Sequence, residues 1–131
     1  VFGFPYTKEG GPVQPATSSD GHSTVAGAIP EGARLQLDPS LDLGSLGLNA
    51  WQATIARALQ KFGMILGDTG GTVGLSAVNA ISFPSNPYPW GDASYAYLPT
   101  SLLQHMRVLK LGPQHTPKGR LIQTSCATLT S

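Results

Sequence analysis

The sequence predicts a mainly β domain, with one amphipathic helix at about residues 50–62 packed on its sheet and a short helix at about residues 100–106. Residues 33–38 alternate apolar and polar side chains, which is the period of a half-buried strand. Residues 51–62 instead place apolar side chains at the helical period. The chain holds 16 Gly and 11 Pro among 131 residues, so many turns separate these elements. This length fits one domain, residues 1–131, around one core.

The clearest strand is residues 33–38. Ala33, Leu35 and Leu37 fall on one face, polar side chains fall on the other, and Pro39 ends the pairing. We expect the apolar face to lie against the core.

The first residues have the pattern of a strand interior. Phe2, Phe4 and Tyr6 alternate with Gly3 and Pro5, and no start signal precedes them. Because the first residue is not Met, we expect a mature or cut product that forms the C-terminal part of a larger fold.

Residues 7–30 contain mostly Gly, Pro, Ser, Thr and Asp, which predicts a long ordered loop. Loops of this length are uncommon and are often functional.

The long helix has a start signal and a stop signal. Asn49 can accept hydrogen bonds from the free amides of the first turn, with Gln52 completing a capping box. Gly63 supplies the left-handed stop, and Gln60 is expected on the solvated face. The predicted apolar stripe is Trp51, Ile55, Ala58, Leu59 and Phe62.

Short extended segments follow the helix. Residues 64–67 predict a buried strand, residues 68–72 a turn and residues 73–83 another strand, which together indicate a hairpin. In the short helix, Leu102, Leu103 and Met106 are expected to point inward. Residues 107–111 and 120–124 are further predicted strands.

Composition limits the partners. The net charge is +1 and no charge run could neutralise several phosphates, so nucleic acid is not expected. No apolar stretch reaches the roughly 20 residues that span a bilayer. Only 11% of residues are charged, and abundant Ser, Thr, Gly and Pro favour a secreted or cell-surface protein. Cys126 is either a buried thiol or half of a bridge to another chain.

The candidate catalytic residues are His22, Asp20 and Asp68. His22 and Asp20 share a hydroxyl-rich turn, and an imidazole suits general base chemistry near neutral pH. Asp68 and Asp38 follow strands and could converge as a carboxylate pair. The alternative is that these are ordinary turn residues or solvated histidines. No metal-ligand spacing is present, so no metal is assigned and the cofactor stays unknown. A metalloenzyme using His22 is the least favoured class.

Aromatic residues cluster in residues 84–97. Tyr88, Trp90 and Tyr95 lie beside Asp92, and aromatic faces flanked by polar groups suit sugar rings. The alternative is packing of these rings within a loop or core. We assign Trp90, Tyr88, Tyr95 and Asp92 as candidate substrate-binding residues.

Residues 15–21, 29–39 and 55–71 together resemble a largely uncharacterised family of exported bacterial proteins, abundant in actinobacteria. The likeness covers about residues 2–111. It implies a β-sandwich or jelly-roll-like body with a packed helix, and an extracellular role alongside carbohydrate-active modules. It also implies a further N-terminal portion, with its own histidines, as a separate chain of the same precursor. The resemblance assigns no catalytic residue.

These patterns favour a secreted carbohydrate-active domain, either a polysaccharide-cleaving enzyme or a fragment of one. The alternative is a non-enzymatic extracellular module that completes its sheet with a partner segment. Ultracentrifugation separates the two, since the second predicts an incomplete sheet that associates.

Overall fold

The computed structural model describes residues 1–71, 73–75 and 98–116. Its strands are β1 (Phe2–Phe4), β2 (Arg34–Leu37), β3 (Met64–Thr69), β4 (Gly74–Leu75) and β5 (Met106–Val108). They form one open mixed sheet in the order β4-β1-β3-β2-β5. Helix α1 (Ala50–Lys61) packs beside β2, and 3₁₀ helices cover Leu43–Leu46 and Thr100–His105. The predicted sheet with one packed helix is confirmed.

The pairing around β1 differs from the predicted hairpin. β1 lies between β3 and β4, parallel to β3 and antiparallel to β4. The hairpin prediction is wrong because β1 occupies the edge of β3 that β4 would need. The strand β3 also extends past the predicted end at Gly67, since Asp68 and Thr69 pair with Gly3 and Phe4.

The core lies between the sheet and α1. Its buried side chains are Phe2, Ala33, Leu37, Ala56, Leu59, Met64, Leu66 and Leu102. Ala33, just before β2, and Leu37 are fully buried and Leu35 packs against the cluster, as the alternation predicted. Of the three residues expected inward near the short helix, Leu102 is buried, Met106 is half-buried and Leu103 is 43% exposed.

Helix α1 begins at the predicted cap. The Asn49 side chain accepts from the Gln52 amide at 3.0 Å, and the Gln52 side chain accepts from the Asn49 amide at 3.0 Å. The helix ends at Lys61, and Gly63 takes a φ of 70°. The predicted start signal at Asn49 and the predicted stop signal at Gly63 are both confirmed.

The buried stripe of α1 is rotated from the predicted one. Ala56 and Leu59 are buried, whereas Ala58 is exposed and Phe62 is 63% exposed. Phe62 is the C-terminal cap, where the backbone leaves the helix and the side chain no longer faces the sheet. The Lys61 Nζ lies 5.2 Å from the Phe62 ring centroid.

Gln60 is not on a solvated face. Its Nε2 donates to the carbonyl oxygens of Asp38 and Leu41, each at 2.9 Å. The Gln36 Nε2 donates to the Gln60 carbonyl at 2.7 Å. These bonds fasten the connector after β2 to the helix.

Residues 7–30 form the predicted long loop, held by bonds between distant parts of its own backbone. The Ser23 amide donates to the Thr7 carbonyl at 2.8 Å, and the Lys8 amide donates to the Ile29 carbonyl at 2.9 Å. In the described part of the chain, no helix is long and apolar enough to cross a membrane.

Candidate functional site

A tight turn before β2 buries one carboxyl group. The Ala33 amide donates to the Pro30 carbonyl at 3.1 Å, and Gly32 has a φ of 87°. This geometry is a type II turn, which places Glu31 at its second position and needs Gly at its third. Glu31 is only 5% exposed. The turn therefore holds an acidic side chain inside the protein.

Close packing fixes the turn against the long loop. The Val13 amide donates to the Glu31 carbonyl at 2.8 Å, and the Gly32 amide donates to the Leu66 carbonyl at 2.7 Å. A Cβ on Gly32 would lie 1.7 Å from the Val13 carbonyl oxygen. Only glycine fits at this position, so the location of the Glu31 backbone is well determined.

The long loop returns to Glu31 at Asp20. The Asp20 amide lies 3.4 Å from Glu31 Oε1, to which it donates. The Thr69 hydroxyl, at the end of β3, donates to Asp20 Oδ1 at 2.5 Å. Asp20, Glu31 and Thr69 thus form a chain of polar contacts from the loop to the sheet.

The two carboxyl groups have opposite pKa shifts. Burial, followed by the interaction with the Asp20 side chain, raises the pKa of Glu31 to about 7, and the charge of Asp68 adds to this. The hydrogen bond from Thr69, followed by the interaction with Glu31, lowers the pKa of Asp20. Of the two groups, Glu31 therefore keeps its proton to the higher pH.

An open cleft of about 370 Å³ is lined in part by Glu31. One wall comes from the long loop, and the other comes from β3 and from Val1, the residue before β1. It is lined by Val1, Pro15, Ala16, Thr17, Ser18, Glu31, Ile65, Leu66 and Gly67. A proton-carrying carboxyl group beside a concave surface is suited to general acid catalysis.

The structure brings the three predicted catalytic residues into one region. Asp20 contacts Glu31, and Asp68 lies on β3 near enough for its charge to act on Glu31. His22 is exposed, with its Nδ1 3.4 Å from the Asp20 carbonyl oxygen. Whether these residues are catalytic stays a prediction.

Asp38 does not converge with Asp68. It forms an ion pair with Arg107 of β5, and the amide and hydroxyl of Ser40 lower its pKa. β2 and β3 are antiparallel, with Arg34 opposite Ile65, so Asp38 and Asp68 lie at opposite ends of the pair. The prediction that they converge is wrong.

The candidate sugar-binding residues Tyr88, Trp90, Asp92 and Tyr95 lie outside the described residues, as does Cys126. Within the described ranges, no group of three metal-ligating side chains could hold an ion. Sequence reasoning missed Glu31 and Thr69. Gly32 was the available signal, since Gly at the third position favours a type II turn before the strand that begins at Arg34.

Comparison of the chain with protein-family models, with curated proteins and with solved structures found no match.

Proposed function

We propose that this protein is a secreted carbohydrate-active domain that cleaves polysaccharides, with Glu31 as general acid and Asp20 as its ionised partner. The observation that carries the proposal is the buried Glu31, with a pKa of about 7, on the wall of an open cleft. Export is supported by the low charge and the Ser, Thr, Gly and Pro content.

The chemistry of glycosidic cleavage suits this pair. The leaving oxygen needs a proton, and a carboxyl group can supply it only if it stays protonated near the working pH. Burial raises the pKa of Glu31 and so keeps its carboxyl group protonated near such a pH. Asp20 stays ionised, and a carboxylate can stabilise the positive charge that develops on the sugar ring. The exposed His22 next to Asp20 would lie at the outer end of the site.

Substrate binding would extend beyond the carboxyl pair. We propose that the aromatic residues Tyr88, Trp90 and Tyr95, with Asp92, provide stacking faces and polar edges for successive sugar rings. We also propose that the sheet and its packed helix belong to a β-sandwich or jelly-roll-like body.

The test is release of new reducing ends from a panel of plant, fungal and bacterial polysaccharides at pH 5–6. Wild-type protein is compared with Glu31→Gln, which keeps the shape of the side chain, and with Glu9→Gln, an exposed glutamate of the same loop. We expect Glu31→Gln to lose at least 100-fold in rate, since general acid catalysis contributes about 10²–10⁴-fold. A blank panel with folded protein, or an unimpaired Glu31→Gln variant, would refute the proposal.

A second candidate is an extracellular module that completes its sheet with a partner segment, such as a separate N-terminal chain of the same precursor. It is favoured by the edge strands β4 and β5, each paired on one side within the described residues. Exposed strand edges are templates for pairing. Sedimentation of this chain as a stable monomer, alone and with no bound peptide, would count against this candidate.

A further inference from the structure

We propose that Thr69 is a positioning residue, whose hydroxyl fixes the Asp20 carboxylate in place beside Glu31. A side chain of the sheet thereby sets the orientation of a carboxylate on the long loop. The consequence for catalysis rests on the proposed function, whereas the effect of Thr69 on Asp20 can be measured without a substrate.

The sheet gives Thr69 a fixed position. Thr69 lies opposite Phe4 in the parallel pair of β3 with β1, and it is half-buried. The Gly70 amide donates to the Phe4 carbonyl at 3.3 Å, and the Thr7 hydroxyl donates to the same oxygen at 2.8 Å. A threonine side chain is short and branched at Cβ, so it has few rotamers to lose when its hydroxyl bonds a partner. Thr69 is therefore a rigid donor at the end of the strand.

The long loop reaches Thr69 through a close approach at Gly21. A Cβ on Gly21 would lie 2.4 Å from the Lys8 carbonyl oxygen, so only glycine lets the loop pass here. The Gly21 amide also donates to the Ser19 hydroxyl at 3.0 Å. These contacts fix the backbone next to Asp20, but Asp20 itself is exposed. An exposed side chain keeps its rotamer freedom unless a partner holds it, and the Thr69 hydroxyl donates to Asp20 Oδ1 at 2.5 Å.

Hydrogen bonds account for the ionised state of Asp20. The Thr69 hydroxyl is the first cause of its lowered pKa, followed by the Glu31 side chain, and no cation of the described residues contributes. A donor to a carboxylate stabilises the charged form. The other titratable groups near the pair are Asp68 on β3, whose charge acts on Glu31, and His22, whose ring contacts the Asp20 carbonyl. Removal of the Thr69 hydroxyl should therefore free the carboxylate and raise its pKa.

The proposed reaction needs the Asp20 carboxylate at one place. It stabilises the positive charge that develops on the sugar ring, and a small displacement of a catalytic group is enough to slow a reaction. Thr69 acts through Asp20 and not on the substrate. Its loss should therefore lower kcat and leave KM nearly unchanged.

The test is a carbon-13 NMR titration of the Asp20 carboxyl group in the full chain. The variants are Thr69→Val, which keeps the shape of the side chain and suits a strand, and Thr69→Ser, which keeps the hydroxyl. Thr69→Ala is a second deletion of the hydroxyl in case Thr69→Val does not fold. Thr54→Val, at an exposed threonine of α1, is the matched control. Amide signals of Arg34–Leu37 report at each pH that the sheet is intact.

We expect the Asp20 midpoint to move up toward its ordinary value in Thr69→Val, and to stay at the wild-type value in Thr69→Ser and Thr54→Val. On a polysaccharide that wild type cleaves, kcat should fall about tenfold in Thr69→Val, with KM changed less than about twofold, and Thr69→Ser should restore most of the rate. An unchanged Asp20 titration or an unchanged kcat in Thr69→Val would overturn the positioning role.

The two proposals fail separately. If Thr69→Val shifts the Asp20 titration but no polysaccharide is cleaved, only the enzyme is refuted. If cleavage depends on Glu31 while the Asp20 titration ignores Thr69, only the positioning role is refuted.

Discussion

The backbone amide of Asp20 donates to the carboxyl group of Glu31 at 3.4 Å, joining the middle of the long loop to the turn before β2. Through this contact, Asp20 becomes part of the environment that sets the pKa of Glu31. Burial of Glu31 raises its pKa and so makes its protonation a contribution to stability, because the folded protein binds this proton more tightly than the unfolded chain does.

The free energy of unfolding should therefore decrease as pH rises from about 4.5 to about 7, and this contribution should be constant above that range. In this interval unfolded Glu31 has released its proton and folded Glu31 has not, so the slope is negative. We expect a loss of about 1–3 kcal/mol, reduced by solvent at the cleft. Urea unfolding at pH 5 and pH 7.5 measures it.

The Glu31→Gln variant should lack this slope, while Glu9→Gln should keep it. Asp20 acts in the opposite direction and in a lower range, because its pKa is lowered and its contribution is lost as pH falls below about 4. A wild-type slope retained in Glu31→Gln would show that another group causes it.

Gly32→Ala should destabilise the protein by at least about 3 kcal/mol. Two effects combine, a positive φ of 87° and a Cβ that would clash with the Val13 carbonyl at 1.7 Å. Gly27→Ala is the matched control, since Gly27 has a φ of 88° with nothing within 4 Å of its Cβ position. It should cost only about 1–2 kcal/mol. Equal losses in thermal unfolding would contradict the close approach.

Leu59→Ala and Phe62→Ala test which face of α1 is buried. Leu59 is 7% exposed and belongs to the core, so its truncation should cost about 2–4 kcal/mol. Phe62 is 63% exposed, and its loss should cost less than about 1 kcal/mol, including its contact with Lys61. A loss for Phe62→Ala as large as that for Leu59→Ala, measured by denaturant unfolding, would restore the stripe predicted from the sequence.

Asn49→Ala should lower the free energy of unfolding by about 1 kcal/mol, because the Gln52 amide in the first helical turn loses its side-chain partner. Asn49→Asp keeps an acceptor at the cap and should remain within about 0.5 kcal/mol of wild type. Chemical denaturation of the three proteins in parallel measures both values. A loss of similar size in Asn49→Asp would argue against a role for the cap.

Local signals predicted the elements well, and tertiary pairing explains most of the errors. The alternation around Leu35, the cap at Asn49 and the stop at Gly63 are each encoded in a few neighbouring residues. The site was harder to predict, because Glu31 meets Asp20 and Thr69 only through the turn and through β3. β1 pairs with β3 at the edge where the hairpin prediction placed the following strand. This pairing depends on which strands compete for that edge of β3, and no local sequence pattern shows the outcome.

The inner position of β1 in the sheet sets an order for assembly. Phe2 pairs with Leu66, so β1 can pair with β3 only after the residues between them, including α1, have been synthesised. Until then the apolar side chains of Phe2 and Phe4 lack their partners on β3, and the sheet forms late. Non-local strand pairing slows folding, so this protein should depend on protection of β1 during synthesis more than a protein whose strands pair with sequence neighbours.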